Sequence, residues 1–164
     1  MNEIVLGLRK AFNSNVTKNA AWRVKQLKNL EKLLSENENE ICEALKKDLN
    51  KHRQESVLYE IGMTKNAITH ILNNFEEYVK PTKVTPQFPL NVSYSAYVQH
   101  QPYGVVLVIG AWNYPFQLTL VPLVGAIASG NCVLIKPSEL SEHSATLIEK
   151  LVQKYMDPVR LKIH

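Results

Sequence analysis

Cysteine is scarce in this chain: only Cys42 and Cys132 occur, far apart and in no CxxC pair. That excludes a disulfide framework and a cysteine-based zinc site, and points to a reducing compartment. Glycine is also sparse, at six residues. No G-x-G-x-x-G is present, so the standard dinucleotide fingerprint is missing. The longest apolar stretches are broken by Gly, Asn or Pro, and none reaches the roughly 18–20 residues of a membrane span. The start, Met1-Asn2-Glu3-Ile4, lacks the basic-then-apolar layout of a secretory signal. The expectation is a soluble, cytoplasmic chain with no membrane segment. Charge of one sign never accumulates either. The formal net charge of +4 is spread evenly over both halves. Without a basic stripe, no nucleic-acid partner is expected. His52, His70, His100, His143 and His164 form no metal-ligand spacing, so no metal is expected.

What remains is a globular composition, 45% hydrophobic over 164 residues, enough for a real core. Residues 3–79 read as helices. Leu27, Leu30, Leu34, Ile41, Leu45 and Leu49 recur at three- and four-residue steps, with Lys and Glu between them. Ser35-Glu36-Asn37-Glu38 matches a capping box, which divides this stretch into two helices near Leu34. A further helix is expected from about Glu55 to Val79, with Val57, Ile61, Ile68, Leu72 and Phe75 on one face, ending ahead of Pro81.

The character then changes. Between Lys83 and Lys136 there is no Asp, Glu, Lys or Arg. Pro86 and Pro89 mark a connector, and Val92 to Gln99 suits an exposed antiparallel strand or hairpin. Val105–Ile109 is a continuous apolar run, as expected of a strand buried on both faces of a parallel sheet. Pro115 can open a helix, Phe116 to Ser129 is apolar nearly all round, and Gly130 can close it. Cys132–Ile135 reads as a second buried strand, and Ser141 as the N-cap of a last helix. Strand–helix–strand–helix is the start of a doubly wound α/β sheet. The chain divides into a helical segment (1–80), a connector and hairpin (81–101), the first part of a nucleotide-binding domain (102–157) and a tail (158–164).

Ligands of such sheets sit beyond the carboxyl ends of the strands. Gly110-Ala111-Trp112-Asn113-Tyr114-Pro115 and Lys136-Pro137-Ser138-Glu139 fall there. An Asn at that place can donate to a developing oxyanion, or can simply be a turn residue. A Lys and a Glu can hold ribose hydroxyls, or can form a solvated loop.

Together these segments resemble the aldehyde dehydrogenase family. Pro102 to Phe116, containing Trp112-Asn113-Tyr114-Pro115, is similar to the family's Trp-Asn-Tyr-Pro turn. Pro122, Gly125-Ala126-Ile127-Ala128, Gly130-Asn131 and Ile135-Lys136-Pro137-Ser138-Glu139 continue the match. Ala11-Phe12-Asn13-Ser14, Trp22-Arg23-Val24-Lys25-Gln26-Leu27, Leu45-Lys46-Lys47-Asp48-Leu49 and Thr85-Pro86-Gln87 resemble the class 3 branch, which acts on fatty and aromatic aldehydes.

The resemblance implies an oxidoreductase of aldehyde metabolism that uses NAD or NADP to oxidise an aldehyde to an acid. Asn113 would be the oxyanion donor and Tyr114 would lie by the substrate channel. Lys136, Glu139 and Trp112 would contact the cofactor. In the family a cysteine thiolate attacks the aldehyde and a glutamate activates water. Neither has a counterpart here, because Cys132 falls in a buried strand and Cys42 on a charged helix. The expectation is an N-terminal fragment, inactive alone.

The hairpin matches the family's oligomerisation element. A homo-oligomer, or a non-catalytic product pairing with a full-length subunit, is therefore also expected. An unrelated α/β nucleotide-binding protein is the remaining alternative. After Asp157 a third strand would be due, and the tail Pro158 to His164 departs from that expectation. With only two strands, roughly three or four large side chains of the Phe116–Ser129 helix would stay wet, leaving the chain marginally folded.

Overall fold

A computed structural model describes residues 2–85 and 95–164. Six helices come first: α1 (Asn2–Asn13), α2 (Ala20–Glu36), α3 (Glu38–Leu49), the short α4 (Arg53–Glu55), α5 (Met63–Asn73) and α6 (Phe75–Val79). Between α4 and α5 the chain runs through a π-helical segment, Ser56–Gly62. The expected single helix over 55–79 is therefore several pieces, with a break at Asn74. It does stop ahead of Pro81.

The division between α2 and α3 is real, but the capping box is not what makes it. Ser35 Oγ donates back to the Glu31 carbonyl. The break falls at Asn37, whose side chain makes no cap. Its amide instead donates to the Leu33 carbonyl and the Tyr155 hydroxyl.

Strands β1 (Thr82–Val84) and β2 (Ala96–Val98) form an exposed antiparallel ribbon. The connector prolines Pro86 and Pro89, and the expected strand start from Val92 to Tyr94, lie outside the described residues. The main sheet is parallel, in the order β3 (Val105–Ile109), β4 (Cys132–Lys136), β5 (Leu161–Ile163). Helix α7 (Pro115–Ala128) crosses from β3 to β4, and α8 (Glu142–Tyr155) from β4 to β5. This is an α/β architecture in which N-terminal helices lead into the first units of a doubly wound sheet.

The tail does not depart from the fold, because Leu161 to Ile163 pairs with Val133 to Ile135 as the third strand. Nor is α7 left wet: among its large side chains only Leu118 is exposed. Helices α2 and α5 pack on the side the sheet does not reach. One core joins Leu27, Leu30, Leu45 and Ile68 to Phe116, Leu120, Val124, Val133 and Ile135. Burying such side chains stabilises by about 1.5–3 kcal/mol each, so the helical segment and the sheet share their main stabilising contacts.

Strand β3 also differs from expectation. It lies at the sheet edge, and only α1 covers its second face. Val105 packs there with Leu8, Ala11, Cys132 and Leu134, while Leu107 and Ile109 are 51% and 65% exposed. An apolar run of this composition suits a central strand and an edge strand equally, and only pairing decides between them.

Helix ends fix the crossings. Gly130, at φ +89°, follows α7; such positive angles suit glycine. The Arg23 guanidinium lies within 2.7 Å of where a side chain at Gly130 would begin. It donates to the Ala128, Thr17 and Lys18 carbonyls, tying α2 to the C-terminus of α7. Asn131 accepts from the Gly104 amide and donates to the Ala126 carbonyl, which registers the start of β3 against the end of α7.

Candidate active site

Parallel pairing places the two chemistry-bearing segments side by side. Ile109 is registered against Lys136, and the Gly110 amide donates to the Lys136 carbonyl at 2.9 Å. The turn carrying Trp112, Asn113 and Tyr114 and the loop carrying Lys136 and Glu139 thus leave the same edge of the sheet, as reading the strand ends implied. Gly110 is needed for this closeness. A Cβ there would stand 2.0 Å from Thr119 Oγ1 on α7 and 3.6 Å from the Pro137 Cα.

Asn113 is exposed, and its side chain makes no hydrogen bond among the described residues. Trp112 is half-exposed. Tyr114 is half-buried and sits beneath an ammonium group, Lys51 Nζ lying 3.6 Å from its ring centroid. On the second loop, Lys136 Nζ donates to Glu139 Oε2 at 2.6 Å. Both stay accessible, at 41% and 76% exposure. The hydrogen bond from Lys136 holds the Glu139 carboxyl below its ordinary range. These two residues border a groove of about 600 Å³, whose other walls include Thr146 of α8, Ile163 of β5 and His164 just after it.

Two residues missed in the sequence build the first turn. Lys51, 8% exposed, and Glu60, fully buried, form an ion pair at 2.5 Å. Lys51 also donates to the Asn113 carbonyl at 2.7 Å. The other Glu60 oxygen accepts from the Phe116 and Gln117 amides at 3.1 and 3.0 Å. The N-terminus of α7 is therefore occupied by an internal carboxylate, which suits the positive end of a helix.

Helix α8 is treated alike. The proposed Ser141 cap is not made, since its hydroxyl donates to the Ser138 carbonyl. Asp48 of α3 accepts from the His143 and Ser144 amides instead. With both crossover helices capped from the N-terminal segment, neither N-terminus is free to take a phosphate. A signal for Glu60 existed: Val57, Glu60, Ile61, Thr64 and Ile68 share a helical stripe, and a carboxylate inside an apolar stripe requires a buried partner.

Neither cysteine has the surroundings of a reactive thiol. Cys132 is fully buried, and burial pushes its thiol up to about 11 against the opposing pull of Arg160. Burial raises Cys42 too. A reactive thiol needs the reverse.

Residues 2–160 match the model of the aldehyde dehydrogenase family. Aldehyde dehydrogenase family 3 member H1 of Arabidopsis thaliana is 41% identical over 99% of this chain. A Canis lupus familiaris protein described as aldehyde dehydrogenase, dimeric NADP-preferring, is 38% identical over 96% of it. The solved substrate-bound Staphylococcus aureus AldH superposes with a TM-score of 0.94 at 36% identity over 99% of this chain. The chain spans about a third of each: 33%, 34% and 35%. Family model, relatives and solved fold each extend over nearly the whole chain, and the chain belongs to the aldehyde dehydrogenase family, among relatives of its family 3 branch.

Proposed function

We propose that this chain supplies two parts of an NAD(P)-dependent aldehyde dehydrogenase, the oxyanion donor and the adenosine end of the cofactor site. The observation that carries the reading is the pairing of Ile109 with Lys136, which sets the Asn113 turn beside the Lys136–Glu139 loop. Asn113 presents an unengaged carboxamide, and an N–H donor placed before charge develops stabilises an oxyanion without reorganising. Tyr114 borders the aldehyde's approach, with Trp112 at the cofactor side.

Lys136 and Glu139 fit a ribose: the carboxylate accepts from a hydroxyl while the ammonium donates, and both stand open to the groove. A nicotinamide cofactor, when bound, supplies the hydride acceptor. Among the described residues neither crossover helix offers the pyrophosphate a free N-terminus, since Glu60 and Asp48 occupy both. The chain's residues therefore fit the adenosine end of NAD or NADP alone. With both thiols buried and raised, the chain by itself does not oxidise aldehydes. Residues 1–80 serve as the buttress that supplies the caps, and 102–157 as the part that meets cofactor and substrate. The setting is cytoplasmic. No helix among the described residues is long and apolar enough to cross a membrane.

A second reading has its own support. The β1–β2 ribbon is exposed along both strands, with Val84, Tyr97 and Val98 uncovered. Such a ribbon suits pairing with a second subunit, of this chain or of a longer relative. Incubation of the purified chain with NAD and a medium-chain or aromatic aldehyde tests the main reading. No NADH is expected; steady NADH formation removes the claim that the chain lacks a nucleophile. Co-purification with a longer family member, without turnover, favours pairing.

A further inference from the structure

We propose that Lys51 and Glu60 are positioning residues for Asn113, a latch set by the N-terminal helices that holds the turn while leaving its side chain free. The proposal rests on Asn113 being the oxyanion donor. The latch grips the chain on both sides of the Tyr114–Pro115 bond. Ahead of it, Lys51 holds the Asn113 carbonyl and covers the Tyr114 ring. Beyond it, Glu60 holds the Phe116 and Gln117 amides. The ion pair joins the two grips into one unit.

A buried ion pair is a poor way to add stability, because desolvation offsets most of its attraction. An apolar pair could fill the same space. It could not hold a carbonyl and two amides that sit more than fifty residues away in sequence. Glu60 also lies in the π-helical segment. Such segments interrupt regular helices frequently at functional sites. The main-chain contacts fix the Asn113 backbone, and the carboxamide needs no contact of its own to be aimed.

The test uses the whole 164-residue chain and amide exchange followed by nuclear magnetic resonance. In Lys51→Met and in Glu60→Gln, exchange at Phe116 and Gln117 is expected to rise roughly tenfold or more while Leu30 and Leu45 stay protected, as in local opening. The Asn113 carbonyl resonance shifts in Lys51→Met, and Lys51→Arg restores most of it. A second measurement needs no variant. In the unaltered chain, the Lys51 ammonium protons should exchange with water far more slowly than those of Lys150, which pairs with Glu40 at the surface.

Unchanged protection at Phe116 and Gln117, or equal loss at Leu30 and Leu45, overturns the latch. So does a Lys51 ammonium that exchanges as fast as Lys150. None of these readouts requires turnover. Absence of an oxyanion role for Asn113 would therefore appear separately, as unchanged turnover in aldehyde assays of a full-length family member carrying this segment with Asn113→Ala.

Discussion

Replacing Gly110 by alanine tests the packing that brings the two loops together. The new methyl would lie 2.0 Å from Thr119 Oγ1 and 3.2 Å from its Cβ. Thr119 is fully buried. Its hydroxyl is carried on Cβ, close to the helix backbone, and β-branching leaves it few rotamers. The neighbour cannot simply swing away, so the variant must displace α7 from the end of β3. Overpacking of this kind costs about 2–3 kcal/mol, or about 5–10 °C in Tm for a chain of this size.

The clash also predicts its own remedy. Thr119 Oγ1 has no hydrogen-bond partner, so Thr119→Ala loses a methyl but also an unpaired hydroxyl, and should stay within about 1 kcal/mol of the parent. Combined with Gly110→Ala it removes the 2.0 Å contact. The double variant should then be more stable than Gly110→Ala alone, with a coupling of about 1–2 kcal/mol. Urea unfolding of the four purified chains measures the cycle. A Gly110→Ala chain within about 0.5 kcal/mol of the parent, or strict additivity in the double variant, would refute the reasoning.

The capping of α8 by Asp48 predicts that Asp48→Ala costs about 0.5–2 kcal/mol, because two amides lose their acceptor. Asp48→Asn should recover part of this, and thermal melts of the two variants decide it; equal losses would point away from capping. Cys132 predicts an alkaline dependence. An unfolded thiol titrates near 9.0 and the folded one at about 11. Between those values only the unfolded chain releases the proton, so stability falls as pH rises through that window and then levels off. The loss is about 2–3 kcal/mol. Cys132→Ala should flatten this part of the pH–stability curve, and an unchanged slope would show that other groups carry it.

Much of this was legible in the residues themselves. Val105–Ile109 and Cys132–Lys136 are strands because each is a short apolar run bounded by turn residues. Pro115 opens α7 as its missing N–H allows. The Asn113 turn and the Lys136–Glu139 loop were placed at one edge because parallel strands point their carboxyl ends together. What escaped depends on long-range contact. Leu161-Lys162-Ile163 is too short and too charged to announce itself, and becomes a strand only by pairing with β4. Local patterns named Ser35 and Ser141 as caps, whereas the α8 cap came from Asp48, distant in sequence. Lys51 lies between α3 and α4, and although Glu60 in its apolar stripe calls for a buried partner, nothing local names that partner. Only the fold shows that each is surrounded by polar atoms of a turn more than fifty residues away.

The measurement that bears most directly on the account is calorimetric titration of the purified chain with AMP and with NAD in parallel. Lys136 and Glu139 offer a site for the adenosine ribose, while both crossover helix ends are already capped. The account predicts weak binding of similar affinity for the two ligands, abolished in a Lys136→Ala, Glu139→Ala chain. NAD binding far tighter than AMP, or binding that survives the double substitution, would contradict it.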